Sequence, residues 1–112
     1  MAGGFQTSDA HPDPQLRPVR VAMRSDELWS EVCTMVDDLG WKVQSKDEQA
    51  LVLVAERAGG LLSGAVKVTF TVEGPAGLPS SQVRLSCEGG GLFAGHEGVV
   101  KEFTTPFTRR VC

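Results

Sequence analysis

The feature that most constrains the fold of this chain is residues 25–41, which read SDELWSEVCTMVDDLGW. The large apolar residues recur here at intervals of three and four, which places their side chains on one face of an α-helix. They are Leu28, Trp29, Val32, Met35, Val36 and Leu39. Ser25 is a suitable N-cap, and Gly40 can end the helix in a left-handed conformation. The rest of the chain must therefore supply an apolar surface for this helix to cover.

Five further segments are predicted to be β-strands: four alternate between apolar and polar residues, and the one at residues 50–58 is apolar on both sides through residues 51–54, which suits an interior strand. The five segments are residues 17–23, 41–46, 50–58, 66–73 and 83–88. A helical spacing returns over residues 99–111, where Pro106 requires a kink or a restart. Short connections between the last four strands favour antiparallel hairpins. The order β-α-β-β-β-β-α thus predicts an α+β two-layer sandwich, an antiparallel sheet with two helices on one face.

The chain is expected to contain one domain preceded by a tail. Residues 1–16 show no periodicity and are rich in turn-forming residues, which predicts a flexible amino-terminal tail. Residues 17–112 then form a single α+β domain of sufficient length to bury a core. On this interpretation, removing residues 1–15 leaves the melting temperature unchanged.

Composition limits the classes of partner and compartment. A formal charge of −3 over 112 residues gives no bulk signal for nucleic acid or membrane binding. No apolar run approaches the ~18 residues needed to span a bilayer, and the amino terminus does not read as a secretion signal. We therefore expect a cytoplasmic protein. Cys33 and Cys87 are predicted to be small buried hydrophobes, and Cys112 a free thiol.

The strand positions that face away from the predicted helices carry five basic side chains. They are Arg20, Lys42, Lys46, Lys67 and Arg84. The exposed side of the first helix is acidic, so this pattern predicts a basic open sheet face that docks an anionic partner. That partner is an acidic lipid surface or an acidic protein segment. A solvated face whose lysines maintain solubility stays open as the alternative. The face lacks aromatic side chains for stacking on bases, which disfavours nucleic acid.

A ligand cavity between sheet and helices is the second functional hypothesis, typical of helix-grip carriers of small apolar ligands. Such a carrier needs an apolar cavity of about 300 Å³ or more, whereas a filled core leaves surface binding alone. The apolar residues available to line it are Trp29, Leu61, Leu62, Phe70, Leu92, Phe93 and Phe103.

Catalytic, metal and cofactor motifs are not evident in the sequence. Gly89, Gly91 and Ala94 match the spacing of a dinucleotide fingerprint, but that motif belongs in a parallel β-α-β unit. His11 and His96 lack cysteine or histidine partners at metal spacing. We therefore expect a non-enzymatic protein without a metal or cofactor, and keep a small enzyme of unrecognised type as a third hypothesis.

Three segments carry a resemblance to a known family. ELWSEVCTMVDDLGWKV, AVKVTFTV and SQVRLSCEGG, followed by an amphipathic helix, resemble the kinase-associated C-terminal regulatory domain of serine/threonine kinases. The resemblance covers residues 19–111 and implies the same element order, acidic-phospholipid binding and autoinhibition. The chain departs from the family pattern in its longer, glycine-rich loop after Cys87, and it lacks the usual basic residues there. The element order also resembles TATA-binding-protein-like repeats and shortened helix-grip carriers.

Overall fold

The computed structural model describes residues 4–58, 64–75, 77–90 and 95–111. These residues form two α-helices, six β-strands and a short 3-10 helix at Pro14–Leu16. The helices are α1 (Ser25–Leu39) and α2 (His96–Val111). The strands are β1 (Gly4–Gln6), β2 (Val19–Val21), β3 (Lys42–Asp47), β4 (Val52–Arg57), β5 (Val66–Glu73) and β6 (Ser81–Gly89).

The strands form one antiparallel sheet in which β3, β4, β5 and β6 are neighbours in chain order. At the far edge, β1 pairs with residues 86–88 of β6, and β2 pairs with residues 81–83 of the same strand. The predicted α+β class and its order of elements are confirmed. Strand β1 is an addition that the sequence pattern did not indicate.

The two ends of helix α1 are defined by Arg24 and Gly40. Ser25 is its first residue rather than its cap. The cap is Arg24, which has an extended backbone and whose carbonyl accepts a hydrogen bond from the Leu28 amide at 2.9 Å. Gly40 has φ 74°, a left-handed conformation that glycine adopts at little cost, and its amide donates to the Asp37 carbonyl at 3.0 Å. The predicted glycine stop is therefore confirmed, whereas the predicted serine cap is wrong.

The core lies between the helices and the face of the sheet that carries Val68, Phe70 and Leu85. Phe70 lies 4.7 Å from Phe103 of α2, measured between ring centroids, and Phe103 lies 4.7 Å from Phe107. Burial of each large apolar side chain contributes about 1.5–3 kcal/mol. Helix α2 continues through Pro106, so of the two predicted alternatives, a kink or a restart, the restart does not occur.

The amino-terminal segment differs from the prediction of a flexible tail over residues 1–16. Within the described residues 4–16, Gly4–Gln6 is a strand, and the Thr7 amide donates to the Leu85 carbonyl at 2.9 Å. Leu16 is 2% exposed and belongs to the core. The segment contains few apolar residues and therefore shows no periodicity in the sequence. It is held in place by strand pairing and by one buried leucine.

Side chains of α2 also form ionic contacts with the amino-terminal segment. Asp13 forms an ion pair with Lys101 at 2.8 Å, and the hydrogen bond from Lys101 lowers the pKa of the Asp13 carboxyl group. His11 accepts the Asp13 amide on Nδ1 at 3.0 Å and places Nε2 3.5 Å from Glu97. The boundary of the folded unit therefore lies before residue 16.

We predict that Leu16→Ala lowers the free energy of unfolding by about 2–5 kcal/mol, the usual cost of truncating a buried leucine. Urea denaturation followed by circular dichroism measures the change. Leu78→Ala is the matched control, because Leu78 is 55% exposed and the same atoms are removed. Equal, small effects of the two substitutions would show that residues 4–16 do not dock as described.

Candidate functional site

The strand positions on the side away from α1 and α2 form the surface that we call the open face. Strand pairing aligns these positions into rows across the sheet. One row, the charged row, alternates in sign and consists of Lys42, Glu56, Lys67 and Glu88. The adjacent row, the neutral row, carries no charge and consists of Ser45, Val54, Thr69, Ser86 and Gln6. A row of small uncharged side chains therefore crosses the sheet beside a row of alternating charges.

Most basic residues of the open face are held by acids. Lys67 lies 3.1 Å from Glu88 across β5 and β6. Arg84 lies 2.6 Å from Glu73, and hydrogen bonds from Gln82 and Arg84 lower the pKa of the Glu73 carboxyl group. Glu73 and Glu88 lie near strand ends, and through these pairs they neutralise the charges of Arg84 and Lys67.

Arg20 is also paired, at 2.8 Å, with Asp9 from the loop after β1. Strand positions of the open face thus carry four basic side chains, Arg20, Lys42, Lys67 and Arg84, and four acidic ones, Asp47, Glu56, Glu73 and Glu88. The face is balanced in charge rather than basic. Glu56 and Asp47 also belong to this face, although the local sequence does not indicate it. Strand register sets Glu56 opposite Lys42 and Lys67, and a register shift within β3 sets Asp47 opposite Val52.

Lys46 does not belong to the open face, which corrects its predicted position. The register of β3 against β4 shifts between Val43 and Ser45, so Gln44 is an extra residue in a β-bulge. The bulge reverses the alternation that follows. Lys46 consequently pairs with Leu53, which is fully buried on the helix side of the sheet.

Cys33 of α1 is the neighbour of Lys46 on that side. Burial raises the pKa of the Cys33 thiol, and the charge and hydrogen bond of Lys46 act in the opposite direction. The Cys87 thiol is more deeply buried, and burial raises its pKa to about 12. Both cysteines are free thiols; Cys87 is buried as predicted, whereas Cys33 is only partly buried. Cys112 lies outside the described residues.

The residues proposed for a ligand cavity divide into two sets. Trp29, Phe70 and Phe103 are buried, and the rings of Phe70 and Phe103 are packed against Trp41 at 6.2 and 6.5 Å. These three side chains belong to the core packed between helices and sheet. Leu61, Leu62, Leu92 and Phe93 lie outside the described residues.

The two histidines make local contacts within the described chain. His11 is engaged with Asp13 and Glu97, and the His96 Nε2 atom lies 2.8 Å from the Gly89 carbonyl. Across residues 4–58, 64–75, 77–90 and 95–111, no three His, Cys, Asp or Glu side chains are grouped closely enough to hold a metal ion. The helices α1 and α2 are both too short and too polar to cross a bilayer.

Comparison with known proteins gives no family for this chain. No model of a protein family matches the sequence, and no curated protein matches it either. The resemblance to the kinase-associated regulatory domain therefore stays a prediction.

We predict that Lys46→Ala raises the pKa of Cys33, because the ammonium group that favours the thiolate is lost. Alkylation requires the thiolate, so the midpoint of the Cys33 alkylation rate against pH should move upward. Iodoacetamide labelling followed by mass spectrometry of the Cys33 peptide measures this midpoint. Lys42→Ala is the matched control, since Lys42 lies on the opposite face of the same strand. An equal shift in both variants would contradict the bulge assignment.

Proposed function

We propose that this protein is a non-enzymatic binding module that docks a protein partner on the open face. The observation that carries the proposal is the neutral row bordered by charges that already pair with one another. Desolvation of uncharged side chains costs less than desolvation of charged ones, and the bordering charged groups stay at the rim, as in the usual organisation of a protein interface.

The dimensions of the face support a protein partner. Strand β5 has eight residues and therefore spans about 27 Å. Five strand positions at about 4.8 Å give a width of about 24 Å. The resulting area of about 650 Å² is of the same order as the ~800 Å² that each partner buries in a standard complex.

Charge balance favours a protein of mixed charge over an acidic lipid surface. An anionic membrane would have to compete with Glu73, Glu88 and Asp9 for the cations that those carboxylates hold. The protein also carries a formal charge of −3, which opposes approach to an anionic bilayer. We further propose a cytoplasmic location, which the free thiols of Cys33 and Cys87 support.

We predict that a photo-crosslinking residue at Thr69 captures a discrete partner from native cell extract, because Thr69 is at the centre of the neutral row. Thr34 is the matched control position, since it is an exposed threonine on the outer side of α1. The purified partner is then titrated calorimetrically against wild type and Thr69→Arg. We expect at least about a tenfold loss of affinity in the variant, because a large charge placed in an interface centre is desolvated without a counterion.

Two results would contradict the proposal. One is an identical set of adducts at Thr69 and Thr34, which indicates unspecific capture. The other is wild-type binding to phosphatidylserine vesicles that Lys42→Glu/Lys67→Glu/Arg84→Glu abolishes, which would restore the lipid hypothesis. Thermal denaturation of each variant verifies that the fold is intact before binding is compared.

A further inference from the structure

A groove separate from the centre of the open face runs between the 3-10 helix, β2 and α2. Its volume is about 410 Å³, within the range of ~300–1,000 Å³ found for ligand sites. Pro14, Pro18 and Val19 supply apolar surface on one side. Thr105, Thr108 and Arg109 of α2 supply polar surface on the other.

The walls of the groove are fixed to each other by direct contacts. The Thr104 hydroxyl donates to the Gln15 carbonyl at 3.2 Å, and the Thr105 hydroxyl donates to Gln15 Oε1 at 3.2 Å. Leu16, next in the chain, is anchored in the core. The groove is consequently pre-formed, so a ligand does not have to order it on binding.

The charges of the groove are of one sign. Its lining includes Arg20 and Arg109 but no Asp or Glu. Arg20 is paired with Asp9, whereas Arg109 forms no ion pair with any residue in the described part of the chain. The next residue, Arg110, is engaged with Glu31 and Asp38 on α1. Arg109 is thus the cation that the fold leaves available at this groove.

Backbone groups add a second means of recognition. Strand β2 has β6 as its one strand partner in the described chain, and its residues Val19 and Arg20 line the groove, so the outer edge of β2 can offer main-chain groups to an added extended segment. An arginine fork beside such an edge can bind a carboxylate through two parallel hydrogen bonds.

From the apolar wall, the strand edge and the unpaired arginine, we infer that this groove binds an extended acidic peptide segment of a partner protein. The segment lies along β2 and places a carboxylate on Arg109. Its apolar residues contact Pro14, Pro18 and Val19. A bilayer presents no backbone to β2, so the geometry selects a peptide over a lipid surface.

The test uses a fluorescein-labelled peptide of alternating Glu and Val residues and measures anisotropy at low and high salt. Wild type should bind the Glu–Val peptide and not a Lys–Val peptide of equal length, and salt should weaken binding. Arg109→Gln should weaken binding about fivefold, the upper end for an exposed ion pair. Arg110→Gln changes the net charge equally and should leave the affinity within about twofold.

Amide chemical shifts locate the bound peptide independently of the substitutions. Shifts at Val19, Thr105 and Thr108 support the groove. The inference is overturned by an absence of binding to the Glu–Val peptide, by equal effects of the two arginine substitutions, or by shifts confined to the neutral row. A fourth result would overturn it in favour of a lipid: wild type binds phosphatidylserine vesicles but not the peptide, and Arg109→Gln abolishes the vesicle binding. Failure of the crosslinking experiment at Thr69 leaves these outcomes unchanged, because that position lies outside the groove.

Discussion

The packing of α1 and α2 on the apolar face of β5 and β6 is the interaction on which the other features depend. Alternate residues of these strands, such as Val68 and Leu85, are completely or almost completely buried beneath the helices. Because both helices use one face, the other face has no helical cover in the described chain. The open face and its rows of aligned side chains follow directly from this one-sided packing.

The two edges of the sheet differ in how they are protected from pairing with another chain. At β6, the amino-terminal segment adds β1 and β2 and places Leu16 in the core, so the long edge is paired. At β3, all six residues are exposed, and the strand carries a bulge that places the charge of Lys46 on the helix side of the sheet. Bulges and inward charges are known devices against edge-to-edge association. The unpaired part of β2, which lacks both devices, is therefore the edge better suited to an added segment.

The two proposed surfaces differ in whether their basic side chains are paired with acids. On the open face, cations and acids neutralise one another across strands, as in Lys67–Glu88 and Arg84–Glu73, so electrostatic attraction to an anion is weak there. In the groove beside α2, Arg109 has no such partner among the described residues, and the lining holds no acid. For this reason we propose Arg109, rather than the sheet, as the site for an acidic segment.

Local sequence patterns determined the elements of this protein, because helical and strand periodicity record which side of each segment is apolar. The buried face of α1, the stop at Gly40 and the alternation in β5 all follow from spacing alone. The run at residues 51–54, apolar on both sides, also indicated an interior strand, and β4 does lie between β3 and β5. Only the tertiary structure decided which residues meet. Strand register set Glu56 and Glu88 beside Lys67, a bulge turned Lys46 toward Cys33, and pairing with β6 held a segment too polar to show any periodicity. These outcomes depend on contacts between residues far apart in the chain, which no local pattern encodes.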